Sequence, residues 1–194
     1  MNYQDIPNLT RSGSYEVNSS LDFLNETITG YQKSDSTFRG LDLLPDFQRG
    51  HVWTESQQVA FVEFFLRGGM SGRVIYLNCP NWGHFEPIPE GQYNEFVIVD
   101  GLQRLTAMLK FVRGELPVFG HYCLPKGTEP VPGRKYFEGR LRCLRAGDNL
   151  KININCLKTR AEVLKWYLEM NEGGTPHTDK ELDKVRQMLK EEKA

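Results

Sequence analysis

Val97-Ile-Val-Asp-Gly-Leu-Gln-Arg-Leu-Thr106 is the stretch on which the fold of this 194-residue chain turns. It follows Glu95 and Phe96, and the apolar run up to Val99 predicts an interior strand over 95–99. Beyond one glycine, Leu105, Met108, Leu109 and Val112 recur at helical spacing until Gly114, which predicts a helix near 102–113. A buried strand that enters a helix through a single Gly turns the first backbone amides outward. That helix end carries a partial positive charge, and Arg104 adds a planar cation, so phosphate is the ligand the junction suits best. Asp100 is negative at the same spot, and a bound magnesium ion lets a carboxylate sit beside a phosphate. A plainer reading competes: Asp100 caps the helix, Gln103 is its capping partner and Arg104 is solvated.

Working outward, the same start signal, a side-chain acceptor followed three residues later by Glu or Gln, recurs at Thr54–Gln57, Thr159–Glu162 and Thr178–Glu181. The first opens a helix near 55–67, with Val59, Val62, Phe65 and Leu66 apolar and Gly68 and Gly69 as the stop. The second opens 160–171, with Val163, Leu164, Tyr167 and Leu168 inward. The third opens a heavily charged helix, 179–193, that keeps Leu182, Val185 and Leu189 on one side. Leu21, Leu24 and Ile28 predict an earlier helix over about 20–31. Arg73–Leu77 reads as a second interior strand, whereas Leu150–Asn155 alternates and reads as half exposed. Residues 78–92, rich in Pro, Gly and Asn, are expected to be a surface connection. Arg67-Gly-Gly-Met-Ser-Gly-Arg73 follows a helix and precedes a strand, the reverse of the P-loop order, and is read as a helix stop and turn. These elements predict an α+β domain with a small mixed sheet and helices packed against it. One domain is expected over 1–178, with the charged helix of 179–194 packed on it.

Composition narrows the function. Lys and Arg number 24 against 25 Asp and Glu, so no global positive field draws the chain onto nucleic acid, and any such contact needs a local patch. The candidate patch is Arg134, Lys135, Arg140, Arg142 and Arg145, opposed only by Glu138; its competing reading is a solvated face. No apolar run approaches the roughly 18 residues a membrane span needs, and Met-Asn-Tyr-Gln-Asp lacks signal-peptide character, which predicts a cytoplasmic location and no membrane partner. Cys79, Cys123, Cys143 and Cys156 form no Cys-x-x-Cys pair, and His51, His84, His121 and His177 show no metal-ligand spacing.

A second constellation is Leu44-Pro-Asp-Phe-Gln-Arg-Gly-His-Val-Trp-Thr54. Gln48 and Arg49 suit a nucleobase edge, a sugar or a phosphate. Trp53 reads as core packing ahead of stacking, and His51 as a structural or solvent-facing residue ahead of a general base.

Together, P-x-F-Q-R-x-H-V-W at 45–53 and V-D-G-x-Q-R-L-T at 99–106 resemble the amino-terminal domain of GmrSD-type restriction proteins, a branch of the ParB/sulfiredoxin-like superfamily. Met170-Asn-Glu-Gly-Gly-Thr-Pro-His-Thr178 is similar to that family's Asn-and-Gly segment between two helices, so the resemblance spans about 45–180. It implies a ParB/sulfiredoxin-like fold and hydrolysis of a nucleoside triphosphate with Mg2+ or another divalent cation. It also implies a tie to nicking or cleavage of DNA in phage or bacterial defence or counter-defence. The family's D-G-Q-Q-R signature is matched by Asp100, Gly101, Leu102, Gln103 and Arg104, with Leu102 in place of the first Gln. An apolar side chain neither polarises water nor holds a phosphate oxygen. Carried over, Asp100, Gln103 and Arg104 are the catalytic set; Gln48, Arg49, Gly101 and Arg104 bind nucleotide and phosphate; Asp100 holds the metal. His177 stands where the family suggests an apolar residue. The sequence carries no HNH signature, so cutting is expected from this module or from a partner nuclease or other defence protein. The competing expectation is a non-catalytic module that binds nucleotide, DNA or protein, with its signature altered at Leu102.

Overall fold

In the computed structural model, which describes residues 15–33, 40–83, 88–138, 149–172 and 179–192, the 97–99 run is sandwiched between two layers of helices. The strands are β1 (Tyr15–Ser19), β2 (Val74–Asn78), β3 (Val97–Asp100) and β4 (Leu150–Asn155). The helices are α1 (Leu21–Gln32), α2 (Glu55–Leu66), α3 (Leu102–Val112), α4 (Arg160–Glu172) and α5 (Asp179–Glu191). The sheet order is β1-β4-β2-β3. β1 runs antiparallel to β4 (Val17 opposite Ile152), β4 parallel to β2 (Ile152 opposite Ile75) and β2 antiparallel to β3 (Leu77 opposite Ile98). The α+β class and the small mixed sheet are as the sequence predicts.

Strand alternation splits the core in two. Ile75, Leu77, Ile98, Ile152 and Ile154 face α1, α2 and α3, where Leu24, Ile28, Val62, Phe65, Leu105 and Met108 are buried. Val97, Val99 and Tyr76 face the other way, onto Val163, Leu164, Trp166 and Tyr167 of α4 and onto Leu182 and Val185 of α5.

Three expectations change. β4, read as half exposed, is a central strand in which only Lys151 is exposed: β1 and β2 flank it, and Leu150, Ile152 and Ile154 are buried in the core cluster shared with α1, α2 and α3. β1 was not predicted: Tyr15-Glu-Val-Asn-Ser is a short polar edge strand, and pairing with β4 is what makes it one. β3, read as interior, lies at the end of the sheet order. Its apolar run reflects the helices on its two faces. Its outer edge is closed by the backbone of Asp42, whose N–H donates to the Phe96 carbonyl (2.8 Å) and whose carbonyl accepts from Ile98 (3.0 Å).

Local signals set the helix ends. Thr54 and Gln57 form the predicted capping box, each side chain bonded to the other's backbone N–H. Thr159 and Glu162 do the same. Thr178 lies outside the described residues. The 67–73 stretch is a helix stop and turn, with Arg73 buried, its guanidinium over the Phe65 ring (4.2 Å) and donating to the Phe65 carbonyl (3.1 Å). No helix among the described residues is long and apolar enough to cross a membrane.

Candidate functional site

The strand-to-helix junction depends on Gly101, which sits at the N-cap of α3 with φ 98°. This is the left-handed region that only glycine enters freely. A Cβ there would lie 2.6 Å from Cδ1 of Ile75 and 3.3 Å from its Cα, so β2 leaves no room for a side chain. α3 therefore starts without a side-chain cap. Asp100 is not the expected cap. Its carboxylate instead accepts from the guanidinium of Arg104, one turn into the helix, and Arg104 Nη1 also donates to the Val74 carbonyl (3.0 Å). Gly72, with φ 73°, lets Arg104 lie across it: a Cβ there would come within 3.2 Å of Arg104 Cδ.

Gln103 joins the two motif-bearing stretches physically. Its Oε1 accepts from the N–H groups of Val52 (3.1 Å) and Trp53 (3.2 Å), and its Nε2 donates to the Gly50 carbonyl (2.9 Å). Both acceptor sites of the amide and one of its two donors are thus spent on the 50–53 backbone. The structure gives this side chain a stapling position.

The 44–54 segment is anchored by Phe47, which is buried and packs edge-on against Tyr167 at 5.2 Å. Arg160 of α4 grips the Asp46 carboxylate (2.7 and 2.8 Å), and Lys184 of α5 donates to the Asp46 carbonyl (2.7 Å). Gln48 and Arg49, next in the chain, are held above α4. Arg49 pairs with Glu181 of α5 at 3.8 Å. Burial pushes the Tyr167 phenol up to about 12, with the Arg49 guanidinium drawing it partly back.

These elements enclose one cleft of about 280 Å³. Gln48, Arg49 and Trp53 line it from one segment, Asp100, Gly101, Leu102, Gln103 and Arg104 from the junction, Gly72 from the turn before β2, and Met170 and Asn171 from the end of α4. Trp53 packs as its first reading expects, its ring against Phe61 (5.5 Å), and the residue also borders the cleft. His51 is exposed and outside the lining. Leu102 borders the cleft too, but it is 3% exposed and packs in the core cluster, so the signature position that departs from the family offers the cleft little of its side chain.

Three participants escaped sequence reading. Asn171 sits in the Asn-and-Gly segment noted for resemblance, which was its one signal. Glu181 read as a capping partner of Thr178, and Tyr167 read as core. The packing of α4 and α5 on the 44–54 segment brings Tyr167 and Glu181 to Arg49.

Of the expected basic patch, Arg134 and Lys135 are among the described residues. Arg134 lies over the Tyr122 ring (4.5 Å) and donates to the Gly114 carbonyl, and the Lys135 carbonyl accepts from Tyr122. Arg140, Arg142, Arg145 and His177 lie outside the described residues. Among the described residues no group of three His, Cys, Asp or Glu side chains could hold a metal ion. A larger cavity, about 520 Å³, lies between α1, the end of α3 and the 123–128 turn, and none of the motif residues lines it.

The family model for the GmrSD restriction endonuclease, N-terminal domain, matches residues 24–187. No curated protein and no solved structure matches the chain.

Proposed function

The chain belongs to the family of GmrSD restriction endonuclease N-terminal domains, and on that premise we propose that its cleft binds a nucleoside triphosphate with a divalent cation and hydrolyses it in support of DNA nicking or cleavage. The observation that carries this reading is convergence: Gln48 and Arg49 line the same cleft as Asp100, Gly101 and Arg104, about a quarter of the chain away in sequence.

The chemistry is charge compensation and positioning, which phosphoryl transfer mainly requires. Arg104 uses one donor on Val74 and one on Asp100. A guanidinium has five, so three remain for phosphate oxygens without breaking its supports. Arg49 approaches from the other motif as the second cation. The first-turn amides of α3 have no partner within the helix and add donors at the same end. Asp100 is the cleft carboxylate able to orient water. The pocket is small for a whole nucleotide, which fits a site that grips the phosphates and leaves the base toward the rim.

The donor set suits magnesium in a limited way. Magnesium is usually held by one or two carboxylates together with the ligand's own phosphates, and Asp100 is the one carboxylate in the lining among the described residues. Bound there, the ion would supply further neutralisation of phosphate charge.

Release of phosphate from ATP, GTP, CTP and UTP by the wild-type chain and by Arg104→Ala tests the proposal. Equal release by both removes the site. One observation favours a second reading, binding without turnover: Leu102 is buried and the Gln103 amide is occupied by backbone, which leaves few groups to activate water. Tight calorimetric binding of a nucleotide that is recovered intact after long incubation with magnesium would select that reading. DNA and a partner nuclease belong to the proposal as partners.

A further inference from the structure

Both cations of the cleft are neutralised from within the chain. Arg104 is paired with Asp100, a local neighbour on the same junction. Arg49 is paired with Glu181, which tertiary packing delivers from α5. The two pairs differ in kind. The Arg104 pair is backed by a backbone carbonyl at Val74, whereas Arg49 meets Glu181 at 3.8 Å, with the Glu181 side chain 37% exposed. A carboxylate placed this way has solvent to turn into, and its attraction to Arg49 is weakened by screening.

We propose that Glu181 is an internal competitor for Arg49: its carboxylate holds the guanidinium until a polyphosphate displaces it, and so sets the affinity of the cleft for anions. The inference rests on the reading of the cleft as a polyphosphate site and adds its regulation. The seat of the competitor is independent of the ion pair. Leu182 and Val185, on either side of the next turn, are buried against the cluster that holds Phe47 and Tyr167, and Lys184 is bonded to the Asp46 carbonyl. α5 therefore stays in place when the carboxylate swings away, and the exchange is a side-chain rotation. Left in place, Glu181 would face the incoming phosphate as a like charge. Every anion that reaches Arg49 has to displace the same group, so each loses affinity by a similar factor.

Calorimetry of the full chain with magnesium-ATP and with tripolyphosphate tests this. Glu181→Gln is expected to bind both about two- to fivefold more tightly than wild type, the scale of one partly screened contact between unit charges. Glu181→Ala should show the same gain, which guards against the new amide itself bonding to Arg49. In an Arg49→Gln background, Glu181→Gln should bring no gain. Asp183→Asn, which removes one negative charge from the same helix at a site paired with Arg186, should leave affinity at the wild-type level. Thermal melts establish that each variant is folded. Equal affinity of wild type, Glu181→Gln and Glu181→Ala overturns the competitor and leaves the cleft standing. A gain in Asp183→Asn as large as in Glu181→Gln also overturns it, since the effect would then be the field of the helix and not the contact. Absence of binding by every chain overturns the cleft reading and the competitor with it.

Discussion

Replacing Gln103 by Leu separates a staple from a ligand-touching residue. The substitution keeps length and approximate volume and removes three hydrogen bonds, to the N–H groups of Val52 and Trp53 and to the carbonyl of Gly50. A net hydrogen bond contributes about 0.5–1.5 kcal/mol, and two of these three are solvent-exposed and belong at the low end, so the expected loss is about 2 kcal/mol. In a domain of this size that lowers Tm by about 4–8 °C. Amide exchange should localise the effect: with about 2 kcal/mol lost, exchange at Val52 and Trp53 should speed by roughly thirtyfold, while Ile75 and Ile98 in the sheet change far less. Affinity for nucleotide should fall as well, because Gln48 and Arg49 lose the tether just beyond them. The reasoning fails if Gln103→Leu melts like wild type and keeps its protection at 52 and 53 yet loses nucleotide, for the amide would then serve the ligand directly.

Other expectations follow from the same geometry. Gly101→Ala forces a Cβ into Ile75 at a positive φ and should cost about 2–4 kcal/mol in urea unfolding; a loss under about 0.5 kcal/mol would mean the junction is not tight. Leu102→Gln, which restores the family residue, places an amide in a core position and should destabilise by about 1–3 kcal/mol; a stable variant with faster phosphate release would show instead that this position reaches the ligand. Thr54→Ala removes the capping-box acceptor and should cost about 1 kcal/mol, read from the same denaturant curves. The Tyr167 phenol, raised from 10.0 to about 12, favours the neutral form in the fold. Its contribution is therefore complete below pH 10 and is lost as pH rises toward 12, at up to about 1.4 kcal/mol per pH unit. Tyr167→Phe should flatten that part of the alkaline stability curve, and an unchanged curve would place the titration elsewhere.

The sequence by itself determined whatever depends on short range. Helices α1 to α5 fall within a residue or two of their predicted bounds, because apolar spacing, capping pairs and stop glycines act within one or two turns. The strand at 97–100, its glycine exit and the cationic residues beside it were legible for the same reason, as was the pairing of two motifs that resemble one family. Tertiary structure alone decided the rest. An alternating pattern in β4 reports the polarity of its own side chains and not the number of strands beside it, so its central place could not be read. β1 becomes a strand through a partner far along the chain. Asp100 chose Arg104 over the helix end because Gly101, forced by Ile75, took the cap. Gln103 found its partners across a loop, and Glu181 reached Arg49 from another helix. Such contacts depend on where separate elements dock, and docking is set by the shape and burial of both surfaces together, which no local window of residues contains.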